Sequence, residues 1–288
     1  MSRAAYAGKL VVITGAASGI GEATALAFAE QGAALELADI DSTGLPRVAA
    51  EAMRRGALRA DTTVLDVSDP VAVLAFAWVV HGRGSAVDVL VNNAGVCLVG
   101  GFLDTRVEDW AWMLGVNLWG LIHVTRAFAP RMLERGSGQI MNVASASAFY
   151  NPVLLGAYGA TKYAVFGLSE ALRQEYAPRG VGVSVVCPGV VKTPLIDHLR
   201  LRGRYTEEPQ RRELRRVVSE GGLGPEVVAH AIVRAARGRK AVVPVGLQAW
   251  GLYLLKRLTP ALLPSLFRRF ATTPASNAAS TAPPPRSR

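Results

Sequence analysis

The stretch GAYGATKYAVFGLSEAL places Tyr158 and Lys162 four residues apart in a pattern that reads as a helix. Residues i and i+4 share a helix face, so the ammonium can stand beside the phenol. A free tyrosine has a pKa of about 10 and transfers protons poorly near neutrality. A positive charge close by lowers an acid's pKa by roughly 1–3 units, toward the range that general acid–base catalysis favours. Tyr158 is therefore expected to be a proton-transfer group tuned downward by Lys162. Tyr163 points off to the side of the same helix and is expected to pack in the core or at an interface. Taken alone, a Tyr/Lys pair of this kind is ordinarily surface decoration, so its weight depends on what the chain builds around it.

A second stretch, VVITGAASGIGEATALAF, reads as a strand, a glycine-rich turn and a helix. Gly15, Gly19 and Gly21 permit a tight turn and close approach of backbone to a pyrophosphate, and the helix directs its first N–H groups at that anion. The spacing differs from the commonest dinucleotide fingerprint, and no Gly-Lys-Ser/Thr follows, so it is not a P-loop. The next strand ends in LADID. A carboxylate at that place can accept hydrogen bonds from both ribose hydroxyls and would repel a 2′-phosphate. Asp39 stands at the strand end and Asp41 two residues into the turn, so Asp39 is preferred. The competing role for Asp39 is to cap the following helix. No Lys or Arg lies between Gly15 and Gly19 or just after Asp39, so NAD is expected rather than NADP.

These residues need a scaffold to hold them. LVVIT, ALELA, VDVLV, GQIMNVAS, VGVSVVCPG and KAVVPV read as short strands separated by helical stretches. DPVAVLAFAWVVHG opens with Asp-Pro and closes with Gly, a good helix start and stop. Strands alternating with helices predict an α/β fold, a doubly wound parallel sheet in a single domain with helices on both faces. The 288 residues are 50% hydrophobic and 19% charged, a globular composition. Cys97 and Cys187 lie far apart and form neither a CxxC motif nor a disulfide framework, which favours a reducing compartment. The N-terminus has no signal-peptide pattern. The apolar run AVVPVGLQAWGLYLL is shorter than the roughly 20 residues a membrane span needs. A cytoplasmic location is expected. The four histidines show no ligand spacing, and no metal site is expected.

Together these motifs resemble the classical short-chain dehydrogenase/reductase family, over about Lys9 to Thr193. TGAASGIG resembles its cofactor turn, LDV at Asp66 its adenine contact, and NNAG at Asn92–Gly95 its turn after the fourth strand. NLWG carries Asn117, NVASAS carries Ser145, YGATK carries Tyr158 and Lys162, and PGVVKTP resembles the loop closing over the nicotinamide. The resemblance implies hydride transfer between NAD(H) and a secondary alcohol or ketone, with Tyr158 as general acid/base. Ser145 would orient the substrate oxygen, and Asn117 would hold a water linking Lys162 to solvent. Lys162 would also bind the nicotinamide ribose. Cofactor contacts are implied for Gly15, Ser18, Gly19, Ile20, Gly21, Asp39, Asp66, Val67, Asn93, Tyr158, Lys162, Val191 and Thr193. Thr161, where Ser is commoner, touches none of these roles. A homodimer or homotetramer is implied. Two alternatives stay open: a catalytically silent dinucleotide-binding regulator and an NADP-dependent carbonyl reductase.

Residues 1–245 are expected to form the catalytic domain, with a helical substrate lid at about 194–222. In the lid, Glu207 and Glu208 precede Arg211 and Arg212 by four, a favourable helical charge order. The charge is uneven: residues 1–189 carry 14 basic and 16 acidic side chains, and residues 190–288 carry 18 and 6. No recognition helix or aromatic stacking motif accompanies the basic third, so nucleic acid is not an expected partner. Residues 246–270 interleave Trp250, Tyr253, Leu254, Leu258, Leu262, Leu266, Phe267 and Phe270 with Lys256, Arg257, Arg268 and Arg269. That extension suits peripheral contact with a membrane surface, and equally suits packing on the catalytic domain or on a second subunit. By weak analogy with family members that act on lipophilic alcohols, it points to a lipophilic substrate. Residues 271–288 are expected to be disordered.

Overall fold

The computed structural model describes residues 5–84 and 86–261. The chain alternates strand and helix from its start: β1 (Leu10–Thr14), α1 (Gly19–Ala29), β2 (Ala34–Asp39), α2 (Gly44–Arg54), β3 (Arg59–Val64), α3 (Pro70–Gly82) and β4 (Val89–Asn92). A two-residue strand, β5 (Leu98–Val99), precedes α4 (Val107–Leu114). A π-helical turn at Gly115–Gly120 joins α4 to α5 (Leu121–Arg135). Then follow β6 (Gly138–Val143), α6 (Gly156–Tyr176), β7 (Val181–Pro188), β8 (Arg200–Leu201), α7 (Glu208–Gly221), α8 (Pro225–Gly238), β9 (Val242–Val245) and α9 (Leu247–Leu258).

Seven strands form one parallel sheet in the order β3-β2-β1-β4-β6-β7-β9. The order reverses between β1 and β4, and in an open sheet of this kind ligands sit at the carboxyl ends of the strands beside that reversal. Period-two alternation divides the strand side chains between two layers. Val11, Ile13, Leu35 and Leu37 pack with α1, α2 and α8 on one face. Leu10, Val12, Leu90 and Ile140 pack with α3 and α5 on the other. The doubly wound expectation therefore holds, and each of the six strands read from sequence contributes to this sheet.

The start of α3 forms as its sequence dictates: the Asp69 carboxylate accepts from Val71 N at 2.8 Å and Ala72 N at 3.2 Å, with Pro70 in the first turn. β3 lies at the sheet edge, with a half-exposed polar sequence RADTTV. The two-residue strands β5 and β8 pair with each other in parallel, outside the main sheet. The segment carrying β8 and α7 leaves the body at Val191 and returns at Leu223. These two residues form a bridge, reinforced by Lys192 N donating to Leu223 O at 2.8 Å.

Of the C-terminal extension, α9 is described and packs on the body through Ala249 and Leu252. The expectations for Leu262, Leu266, Phe267, Phe270, Arg268 and Arg269, and for the tail 271–288, lie outside the described residues. Among the described residues, no helix is long and apolar enough to cross a membrane, and no cluster of His, Cys, Asp and Glu could hold a metal ion. Cys97 and Cys187 are free and buried.

Candidate active site

The sequence after β1 turns back sharply. Gly15 has φ +65°, and a Cβ placed on it would lie 2.8 Å from Ala94 Cα. Only glycine fits so close to the strand-end loop. Asn93 locks that loop in place by donating from Nδ2 to Thr14 O and Gly15 O, each at 3.0 Å. Its Nδ2 is thus engaged in shaping the turn. Gly19 has φ +55°, and a Cβ there would lie 3.0 Å from the Thr193 side chain. The loop after β7 thus descends onto the glycine turn. Ser18 stands at the N-cap of α1 in extended geometry without a side-chain capping bond, leaving its hydroxyl available beside the helix N-terminus.

Asp39 ends β2, and its carboxylate accepts from Ala17 N at 2.8 Å and from Asp41 N at 3.0 Å. Asp41, by contrast, accepts from Thr43 N, Thr43 Oγ1 and Gly44 N at the start of α2. The capping role weighed for Asp39 belongs to Asp41. Asp66 is exposed and binds Ser68 N and Oγ through one oxygen, while Val67 is buried. The fold also supplies a cation that the sequence did not reveal here. Arg47, on α2, donates to Ala17 O at 3.1 Å and forms a forked pair with both oxygens of Glu22.

Ser145 follows β6 and caps a short 3-10 turn at Ala146–Ala148, its Oγ accepting from Ser147 N at 3.1 Å. Tyr158 and Lys162 lie on α6 as the spacing predicts. Ser145 and Tyr158 line one apolar cleft of about 680 Å³, joined by Ile20, Val191 and Thr193. Lys162 lies behind this wall, 5% exposed. Its Nζ is 5.6 Å from the Tyr158 ring centroid and donates to Val143 O at 3.1 Å. Among the described residues it has no carboxylate partner.

The electrostatics correct one expectation. Burial pushes the Tyr158 phenol above its ordinary value, and a hydrogen bond with Ser145 pulls it partly back. Lys162 is not among the groups that move it. Its ammonium points to the Val143 carbonyl rather than to the phenol oxygen, and burial lowers it to about 8. The shared helix face is real, but desolvation of both groups outweighs their attraction. Cys97, in the cleft wall, and Cys187 are also buried, each thiol pushed up to about 12.

Asn117 sits in the π-helical turn, a feature often found at functional positions. Its side chain brackets the Val96 peptide: Oδ1 accepts from Val96 N at 2.8 Å and Nδ2 donates to Val96 O at 2.9 Å. Nδ2 also donates to Thr161 Oγ1 at 3.0 Å. Thr161, fully buried, in turn donates to Tyr158 O at 2.7 Å. Thr161 therefore has a role after all, tying Asn117 to the turn of α6 that carries Tyr158. A Cβ on Gly95 would meet Asn117 Oδ1 at 3.2 Å and Lys162 Nζ at 3.5 Å, so this glycine keeps the space between them open. Tyr163 is not in the core: it is exposed at the surface of α6, its hydroxyl donating to Phe149 O at 2.9 Å and its ring covered by Lys256 of α9 at 4.0 Å.

The roof of the cleft comes from residues 194–222, through Leu195, Leu199, Tyr205, Leu214 and Val218, and from Gln248 and Leu252 of α9. Its base is fixed. Arg202 forks onto Asp109 at 2.7 and 2.6 Å, and Arg200 stacks on Trp112 at 3.6 Å. The helical pairs expected for Glu207 and Glu208 with Arg211 and Arg212 are not formed. Glu207 is the extended N-cap residue, and the ion pairs of this segment's helix are Arg215–Asp197 and Arg216–Glu220.

Residues 9–202 match the short chain dehydrogenase family. The chain is 40% identical over 271 residues to the probable oxidoreductase EphD of Mycobacterium tuberculosis, covering 92% of this chain and 46% of EphD. It thus spans about half the length of that relative. It is 39% identical over 205 residues to the oxidoreductase UcpA of Escherichia coli, covering 70% of this chain and 76% of UcpA. A solved short chain dehydrogenase/reductase from Burkholderia phymatum, in complex with NAD, superposes with a TM-score of 0.78 at 32% identity, covering 99% of this chain and 100% of that one.

Proposed function

We propose, from the premise that this chain belongs to the short chain dehydrogenase family, that it interconverts a lipophilic secondary alcohol and its ketone with NAD as redox partner. The observation that carries the reading is that Ser145 and Tyr158 line one apolar cleft, with the Lys162 ammonium held behind Tyr158.

The residues present fit a dinucleotide. The glycine turn has no room for side chains at Gly15, the Ser18 hydroxyl is uncommitted at a helix N-terminus, and the Asp39 carboxylate, at the end of β2 beside the turn, would meet the adenosine ribose. NAD is also the cofactor bound in the Burkholderia phymatum structure. When bound, the nicotinamide supplies the hydride acceptor in one direction and the donor in the other. Arg47 would favour a 2′-phosphate, but Glu22 occupies its guanidinium, which supports NAD over NADP.

Ser145 holds the substrate oxygen and Tyr158 exchanges its proton. The raised phenol is protonated at neutral pH, ready to donate to a ketone oxygen as the carbon is reduced. In the oxidative direction the phenolate takes the alcohol proton, and the hydrogen bond with Ser145 favours that anion. Two of the three Lys162 N–H groups remain for ribose hydroxyls. Asn117 holds the Val96 backbone beside this pair. Residues 194–222 act as the substrate lid, and α9 completes the pocket wall. Assembly as a homodimer or homotetramer belongs to the same reading, as does peripheral membrane contact through the extension, and sedimentation with and without anionic vesicles checks both.

Tyr158→Phe keeps the ring and removes the proton-transfer group. Turnover should fall by about 10²–10⁴ while NAD affinity, measured by calorimetry, stays the same. A variant with near-normal kcat on a secondary alcohol overturns the mechanism.

A further inference from the structure

The cleft is apolar nearly throughout. Among the described residues Arg204 is its one formally charged lining side chain, and no carboxylate lines it. The other cations of the covering segment are accounted for in other ways. Arg202 is forked onto Asp109, Arg200 is stacked on Trp112, and Arg215 and Arg216 pair with Asp197 and Glu220. Arg211 and Arg212 are absent from the cleft wall. Arg204 has no ion pair among the described residues; its guanidinium donates to the Tyr205 hydroxyl at 3.0 Å. Asp104 comes close to the preceding residue, where a Cβ placed on Gly203 would meet its carboxylate.

The placement of this charge is set by its neighbours. Arg202, two residues earlier, is fixed to the body, and Gly203 turns the chain with φ +59°. Arg204 and Tyr205 then stand in the roof of the cleft, whereas the Ser145 and Tyr158 hydroxyls stand in a wall built by the body. A ligand in this space meets proton-transfer chemistry at one part, aliphatic surface along its length, and one positive charge in the roof. A guanidinium in a fork geometry matches a carboxylate.

We propose that the cleft takes an anionic amphiphile: a secondary alcohol or ketone on a long apolar body, whose carboxylate, remote from the reacting carbon, pairs with Arg204. The identity of the reacting carbon rests on the hydride-transfer reading above; the carboxylate contact does not. Arg204 is exposed, so its contribution is that of a solvent-screened pair rather than a buried one.

The test compares decanoate with the uncharged decanamide, titrated calorimetrically at low salt into wild type, Arg204→Gln, Arg204→Lys and Tyr158→Phe. Wild type should bind decanoate about fivefold more tightly than decanamide, the scale of an exposed charge pair. Arg204→Gln should abolish that preference and leave decanamide binding unchanged. Arg204→Lys should keep part of it, and added salt should shrink it. Equal binding of the two probes by wild type, binding of neither, or a preference that survives Arg204→Gln overturns the proposal. Failure of the hydride-transfer reading looks different: no NAD-dependent turnover of 9-hydroxydecanoate, with the decanoate preference intact and unchanged in Tyr158→Phe.

Discussion

Replacing Lys162 by Met should make the protein more stable and inactive at once. Lys162 is 5% exposed, with one backbone acceptor and no anionic partner among the described residues. Burial lowers its pKa from 10.5 to about 8. Because the folded value lies below the unfolded one, the unfolded chain binds more protons between those two pH values, and stability rises with pH across that window. Below pH 8 the cost of burying the charge is fully present. At about 1.4 kcal/mol per pH unit, it is on the order of 3 kcal/mol at pH 7. Met matches the side chain's bulk but leaves the Val143 carbonyl short of a donor, which costs about 1 kcal/mol. The net gain is about 2 kcal/mol, or an increase in Tm of about 4 °C for a chain of this size. Urea and thermal melts of both proteins at pH 7 and pH 10.5, without cofactor, read this directly. The gap should vanish and slightly reverse at the higher pH, where the folded-state lysine is neutral and only the lost donor to Val143 O counts. A variant less stable than wild type at pH 7, or a gap that ignores pH, refutes the reasoning. The loss of turnover alongside it would mark a site where function is kept at the expense of stability.

Asp39→Ala removes the charge that opposes a 2′-phosphate and should raise kcat/KM for NADP about tenfold relative to NAD, equivalent to about 1.4 kcal/mol; a wild-type preference for NADP would refute the assignment. Asp109→Asn breaks the fork to Arg202 and should cost about 2 kcal/mol, below the range for fully buried pairs because Arg202 is partly exposed. Arg202 holds the Asp109 carboxyl below its usual range, so this contribution is present above the ordinary carboxylate pKa and is lost as pH falls through the lowered one; melts at pH 7 and pH 3 should show the two proteins converging in acid. Lys256→Met removes the bond to Ala148 O, in the turn that Ser145 caps. It should lower kcat about fivefold, the effect of one hydrogen bond, with NAD affinity unchanged and recovery in Lys256→Arg.

The strands that carry the site were legible because each is buried on both faces and reads as a short apolar run. β3 was not, since RADTTV at the sheet edge is polar and half-exposed. β5 and β8 were not, since two residues carry no periodicity and exist only through their pairing. In the site, the spacing of Tyr158 and Lys162 correctly placed both on one helix. The direction of their pKa shifts was hidden, because burial is a property of the folded surroundings and not of spacing. Thr161 was passed over because its partners, Asn117 Nδ2 and Tyr158 O, meet only in the fold. Arg47 lies eight residues beyond Asp39, and only the packing of α2 against the glycine turn brings it to Ala17. A scan of the turn's own neighbours along the chain could not find it. That Asp39 ends a strand while Asp41 serves the start of α2 was legible, because a strand end and a helix start make different demands on a carboxylate.

The bridge between Val191 and Leu223 has a consequence for how such a chain can diversify. Because the covering segment leaves and re-enters the body at neighbouring points, its length is nearly independent of the sheet beneath it. Doubling a closed loop costs only about 0.6 kcal/mol in closure entropy. Beyond the anchored Arg202, insertions, deletions or exchange between positions 203 and 222 can therefore remodel the cleft's cover without altering the glycine turn, the Ser145 turn or α6. The wall that carries Ser145 and Tyr158 and the segment that covers it are thus joined at a few definable places: the Val191–Leu223 bridge, the β5–β8 pairing, and the contacts of Arg200 and Arg202 with Trp112 and Asp109.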